Sequence, residues 1–317
     1  MRIAIVRLSA LGDIIQSSIV SEYMYKEGIE TDWIVDSRFA QILDYSPYIH
    51  EVKSINLKNN PIHSLREILT WERYDMVIDF QGLLKSAILS KIIAKQTIGC
   101  DGYHTKEKPA LLFYNQKLNI RNHTINRYRE MINDALNISI DYHMIRDHNP
   151  YMGYLESDFT TSYLFSKSKK NIILIIGANA KNRLFQTKKW IELVNILQEN
   201  ILIPYGNESE YAIAKNIENS SKYVHILPKL NINELKATIS KCDMLIGNDT
   251  GPSYIAWANN IKSVLIFGAT PIGRVIENDY TRIVKAKTSL NSDIYDKNEF
   301  SINDIDVSEI INAIESF

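Results

Sequence analysis

Short runs of uninterrupted apolar residues, each followed by a turn and then a helical pattern, recur along this chain of 317 residues. In the first half they fall at 3–6, 32–35 and 76–79, and in the second at 172–176, 201–204, 223–227, 244–247 and 263–267. A strand apolar on both faces must be covered on both, which is the condition of a parallel strand with helices above and below it. The stretches 188–199, 208–217 and 232–241 carry apolar residues at helical spacing, so strand and helix alternate as in βαβ units. The expectation is an α/β chain built from doubly wound, Rossmann-like sheets.

The rhythm breaks between about residues 141 and 170, where His148-Asn149-Pro150 and the polar run 166–171 precede a new apolar strand. This predicts a first domain over 1–160 and a second over 161–300, facing each other across a cleft. A last segment, 301–317, carries a helix at 307–314 that is expected to pack back on the first domain. The two cysteines, Cys100 and Cys242, have no metal-ligand or disulfide spacing and fit a reducing compartment. No apolar run reaches the ~18–20 residues that span a bilayer, and the N-terminus lacks a signal-peptide core. The chain therefore reads as cytoplasmic, with membrane contact only at its surface.

A net charge of −1 argues against nucleic-acid binding, but the charge is unevenly spread. Nine Lys and Arg lie between Lys85 and Arg129 against only Asp101 and Glu107, whereas the tail beyond Asp293 is mostly acidic. The basic segment is either a set of solvated helix faces or a patch for an anionic partner such as a phosphorylated lipid or substrate.

Four turns after strands carry chemistry. The first strand runs into Ser9-Ala10-Leu11-Gly12-Asp13, with a helix pattern from Ile14. Asp13 thus stands where ligands bind in open α/β sheets, as a helix cap or as a reacting group. The turn Asn248-Asp249-Thr250-Gly251-Pro252 opens another helix and fits a phosphate site, or a plain helix cap. Glu208 and Glu210 follow Tyr205-Gly206, where a carboxylate complements the helix dipole or holds a ribose. The loop Gly177-Ala178-Asn179-Ala180-Lys181-Asn182-Arg183 is either an exposed loop or a cationic clamp on a diphosphate. No P-loop, HExxH, GxSxG or GxGxxG pattern is present, and the histidines lack metal-ligand spacing.

Taken in order, these segments resemble glycosyltransferase family 9, the ADP-heptose:lipopolysaccharide heptosyltransferases, most of all its first-heptose members. The resemblance rests on residues 2–13, on 74–86 with Gln81, Gly82, Lys85 and Ser86, and on 112–115. It continues in Pro204-Tyr205-Gly206 with Glu210, Leu227-Pro228-Lys229, Asp249-Thr250-Gly251 and Phe267-Gly268-Ala269-Thr270. It implies a GT-B fold, with the acceptor on the first domain and the nucleotide-sugar on the second. It implies inverting transfer of L-glycero-D-manno-heptose from ADP-heptose to Kdo of Kdo-lipid A, with no cofactor or required metal. The setting would be the cytoplasmic face of the inner membrane of a Gram-negative bacterium, with the protein bound peripherally. Alternatives are addition of a second or later heptose, a sugar-nucleotide epimerase, or a cytoplasmic sugar-nucleotide-binding protein.

By the same resemblance Asp13 is the general base, and Gly12, Gln81, Lys85, Lys106 and Arg129 are acceptor-binding candidates. Ala178, Asn179, Arg183, Glu210, Leu230, Asp249, Thr250, Gly251 and Tyr254 are the donor-binding candidates. Three positions depart from the family: Arg183 stands for a lysine, Ala178 and Asn179 replace hydroxyl residues, and Tyr254 replaces a histidine. A tyrosine donates one hydrogen bond but cannot be a cation near neutral pH.

Overall fold

The structure, a computed structural model, describes residues 1–268, 270–286 and 298–317. Ala269 of the 267–270 motif and the acidic-tail residues 293–297 lie outside the described residues. The chain divides into two compact units, Met1–Gly153 and Tyr154–Phe317, a few residues before the boundary expected from the break in rhythm.

The first unit holds a six-stranded sheet of β1 (Ile3–Val6), β2 (Thr31–Asp36), β3 (Glu51–Ile55), β4 (Tyr74–Asp79), β5 (Ala94–Cys100) and β6 (Gln116–Leu118). Their order is β3-β2-β1-β4-β5-β6 and every pairing is parallel. β1 is buried along its whole length because β2 and β4 flank it and helices cover both faces. The helix Pro61–Thr70 sends Ile68 inward, and the helix Leu84–Ile93 sends Leu89 and Ile93, to pack on Ala4, Val6 and Val77. β3, β5 and β6 escape the apolar-run criterion. β3 and β6 are sheet edges, and they and β5 carry Glu51, Lys53, Lys95, Gln96, Gln116 and Lys117.

The second unit repeats this topology with β7 (Asn171–Ile175), β8 (Asn200–Ile203), β9 (Val224–Ile226), β10 (Met244–Asn248), β11 (Ser263–Phe267) and β12 (Thr281–Lys285). The order is β12-β11-β10-β7-β8-β9, again parallel throughout. Five of these strands match the apolar runs, whereas β12 is a half-exposed edge with Arg282 and Lys285. The helix expected at 307–314 spans Val307–Glu315. It packs on β11, β12 and the helix Thr187–Leu197, and Val307 and Ile310 are buried in the core with Trp190, Leu193 and Val264. Its apolar face is therefore used within the second unit itself.

In each sheet the order reverses beside one central strand, β1 next to β4 and β7 next to β10. Crossovers leave in opposite directions there, which opens a crevice at the carboxyl ends of those strands. The candidate residues collect at these ends.

Candidate functional site

In the first unit the helix after β1 is Leu11–Ser18, so Asp13 lies inside its first turn and not ahead of it. Its Oδ2 accepts weakly from the Ala10 N–H at 3.3 Å, as a cap would, and forms an ion pair with the Arg7 guanidinium at 2.7 Å. Arg7 leaves the end of β1 into the interior, where it is 1% exposed. It also donates to the Phe80 carbonyl and lies 5.9 Å from the Tyr128 ring centre. The Asp13 side chain, 23% exposed, is thus a carboxylate with one side fixed by a buried cation and another open to solvent. Arg127 also lies over the Tyr128 ring, 4.5 Å from its centre. Burial opposes the Arg127 charge, but Tyr128 and then Asp13 favour it, and the balance holds its pKa above the ordinary value.

The turn after β4 is organised by Asp79. Its carboxylate accepts from the Gln81 N–H at 2.8 Å, the Gly82 N–H at 3.2 Å, the Ser86 hydroxyl at 2.8 Å and the Tyr114 hydroxyl at 2.7 Å. Burial pushes the Asp79 pKa up in spite of these four donors. Gly82 has φ +67°, and a Cβ there would meet the Thr105 Cα at 3.3 Å, so both the turn and the neighbouring loop call for glycine.

Gln81 accepts from the Ser9 N–H at 3.1 Å, which ties the turns after β1 and β4 together. Lys106 donates its backbone N–H to the Gly82 carbonyl at 3.0 Å, and Gly12 sits in the same helix turn as Asp13. Lys85 lines a cavity of about 160 Å³ with Leu8, Asp36, Arg38 and Lys58. Arg38 grips Asp36 with two nitrogens at 2.8 Å, which holds the Asp36 carboxyl below the usual carboxylate range. Arg129 donates to the Ile140 carbonyl at 2.9 Å and to Asn126 at 3.3 Å, so its guanidinium braces the chain after its own helix.

In the second unit a cavity of about 340 Å³ opens at the ends of β7, β8 and β10. Asn179, Glu210, Lys229, Leu230 and Thr250 are among its walls. Glu210 caps the turn before its helix by accepting from the Gly206 N–H at 2.6 Å and from Asn207 Nδ2 at 3.0 Å. A Cβ on Gly177 would fall 2.3 Å from its Oε1, so the carboxylate occupies space that only a glycine leaves. Lys229 donates to the Gly206 carbonyl and lies over the Tyr205 ring at 5.1 Å, closing that side of the cavity.

Thr250 is the N-cap of the helix Gly251–Ala258, but its hydroxyl makes no capping bond, and Pro252 occupies the first turn. The helix start therefore faces the cavity with its dipole. Asp249, 1% exposed, accepts from the Tyr254 hydroxyl and stands 3.4 Å from the Arg183 guanidinium. Burial, reinforced by the Asp249 charge, raises the Tyr254 pKa far above its ordinary value, so it remains a neutral donor. Tyr254 is buried against Asp249 and is not among the residues that line the cavity.

Arg7, Asp79 and Asn248 were not among the candidate site residues, yet each builds one of these sites. Asn248, the buried last residue of β10, accepts from the Phe185 N–H at 3.1 Å and donates to the Ile176 carbonyl at 2.7 Å. These bonds fasten both ends of the 177–185 loop to the sheet and so fix Arg183. Among the described residues no group of three His, Cys, Asp or Glu side chains could hold a metal ion. No described helix is long and apolar enough to cross a membrane.

The family model for glycosyltransferase family 9 (heptosyltransferase) matches residues 62–305. The lipopolysaccharide heptosyltransferase 1 of Campylobacter coli is 34% identical over 99% of this chain and 98% of its own length. The structure of E. coli heptosyltransferase WaaC with ADP superposes with a TM-score of 0.80 at 24% identity, covering 100% of this chain and 99% of that one. The same enzyme with ADP-2-deoxy-2-fluoro heptose gives 0.77, also at 24% identity, with 100% and 99% covered. The fold shared with these structures is the GT-B fold of two Rossmann-like units.

Proposed function

Because the chain belongs to glycosyltransferase family 9, the heptosyltransferases, we propose that it adds the first heptose of the lipopolysaccharide inner core. The donor is ADP-L-glycero-D-manno-heptose, the acceptor is Kdo of Kdo-lipid A, and transfer inverts the anomeric centre. The observation that carries this reading is the full-length likeness to a heptosyltransferase 1, at 34% identity over 99% of the chain. The enzyme works at the cytoplasmic face of the inner membrane of a Gram-negative cell, bound peripherally.

Asp13 acts as general base. Its carboxylate takes the proton of the acceptor hydroxyl as that oxygen attacks the anomeric carbon and the bond to ADP breaks. The ion pair with Arg7 at 2.7 Å fixes the direction of the carboxylate. Gly12, Gln81, Lys85 and Lys106 surround the acceptor, the lysines matching its anionic groups.

On the donor side Glu210 and Leu230 hold the nucleoside in the cavity after β8, with Asn179 and Ala178 along the loop above it. The leaving diphosphate gains negative charge in the transition state. Arg183 and the helix start at Thr250-Gly251 supply the opposing charge and dipole, already oriented before the reaction. Asp249 faces the heptose, with Tyr254 and Arg183 fixing its two oxygens.

Incubation of the enzyme with ADP-heptose and acceptors carrying no heptose or one heptose, read by mass spectrometry, tests the reading. One heptose should be added to the bare Kdo acceptor and none to the heptosylated one; the reverse pattern overturns it. Asp13→Ala should lower kcat about 10²–10⁴-fold while ADP still binds, and near-normal turnover by this variant removes Asp13 from the role of base.

A further inference from the structure

The helix Pro61–Thr70 exposes an aliphatic stripe where a surface helix ordinarily turns a polar face to water. Ile62, Leu65 and Leu69 are 69%, 45% and 67% exposed, while Ser64 and Ile68 fill its inner face. At helical spacing these three side chains fall within an arc of about 60° and run about 10 Å along the axis. The helix packs beside Leu84–Ile93, whose outer positions are Lys85, Ile88 and Lys91, and that helix packs in turn on the turn Lys108–Phe113. There Leu112 stands 85% exposed. Three successive helical elements of the first unit thus carry unburied aliphatic side chains.

Cations outnumber acids around these side chains. Lys58 precedes the stripe, Arg66 adjoins it, and Lys85, Lys91 and Lys108 follow on the neighbouring elements. Among the described residues Lys58, Arg66, Lys85 and Lys108 make no ion pair. The acids nearby are fewer: Glu67 lies 3.9 Å from His63, Glu72 pairs with Arg2, and Glu107 accepts from the Leu84 N–H at 2.6 Å. Lys58 and Lys85 also line the cavity beside Arg38 at the ends of β1 to β3. The cations therefore continue from the stripe to the strand ends where Asp13 lies.

We propose that this face, formed by Ile62, Leu65, Leu69, Ile88 and Leu112 with Lys58, Arg66, Lys85 and Lys108, docks the enzyme on an anionic lipid bilayer. Aliphatic side chains enter the boundary between headgroups and acyl chains, and the cations meet lipid phosphates. A second copy of the chain does not suit the face, since its unpaired cations would oppose one another in a self-complementary contact. The inference deepens the reading of the acceptor as a membrane lipid and rests on it, yet it can be measured without turnover.

The test uses the full-length protein and sedimentation with phosphatidylcholine vesicles, with and without phosphatidylglycerol. Binding is expected only with phosphatidylglycerol, and should weaken as salt rises. The triple variant Ile62→Ser, Leu65→Ser, Leu69→Ser, altered only at exposed positions, should lose about tenfold or more in vesicle affinity. Arg66→Glu should lose binding in low salt. The triple variant should also keep its turnover on a soluble, deacylated acceptor while its KM rises for acceptor embedded in vesicles. Equal binding of both vesicle types, or unchanged binding by the triple variant, overturns the proposal. A dimer seen by light scattering that the triple variant disperses overturns it as well. A protein that binds vesicles but transfers no heptose would refute the proposed reaction and leave this docking face standing.

Discussion

Asp249 shows how a single buried carboxylate constrains its neighbours. At 1% exposure it has two named partners, the Tyr254 hydroxyl and the Arg183 guanidinium, and a buried acceptor that loses a donor bears the desolvation cost itself. Tyr254→Phe removes that donor and nothing else of size. It should lower unfolding stability by about 1–3 kcal/mol in urea titrations and raise the KM for the donor. Unchanged values on both measures would show that Arg183 alone holds the carboxylate. The substitution of tyrosine for the family's histidine was visible in the sequence, but its consequence was not. Periodicity shows that position 254 lies on a helix, whereas only the packing shows it fully buried behind Asp249. Arg7 was illegible for a related reason. It reads as the polar residue that ends an apolar strand, and its direction into the core depends on Phe80 and Tyr128, far along the chain.

Among the elements, the loop after β5 combines packing with titration. His104 stacks near Tyr103 and His123, with ring centres 5.0 and 5.2 Å away, and its Nε2 is buried without a partner. Burial, then the charges of Arg127 and His123, pushes its pKa down from 6.5 to about 4. The unfolded chain therefore binds a proton that the folded loop refuses between those two values, and stability falls as pH drops from 6.5 toward about 4. His104→Phe keeps a ring and removes the titration, so the acid limb of a melting-temperature profile should become shallower across that window. An unchanged limb would place the acid sensitivity elsewhere. The elements most legible in the sequence were those buried on both faces: β1, β7, β8, β10 and β11 coincide with apolar runs. The edge strands β3, β6 and β12 gave no such signal, because one side of each needs no cover and accepts Lys, Glu and Arg. The helix after β1 begins earlier than its apolar periodicity, since its first turn is held by Asp13 and not by core contacts.

The whole molecule is one topology used twice, and the doubling was readable from the two sets of apolar runs and the polar break between them. The destination of the last helix was not, because an amphipathic segment states that it needs a partner without stating which. Ile310 is fully buried in the core of the second unit. Ile310→Ala should cost about 2–5 kcal/mol, read as a lower denaturation midpoint for the second unit with the first unit's midpoint unmoved. Equal loss in both units would contradict the assignment of this helix to the core of the second. The same helix bears on how the chain is made. Everything that the first sheet needs has left the ribosome once residue 153 is clear, so that half can fold during synthesis. The second sheet waits for Val307 and Ile310, more than twenty residues after its last strand has been translated. Until they emerge, its nascent core stays uncovered on the side of β11 and β12, and that interval is when the polypeptide most needs a chaperone.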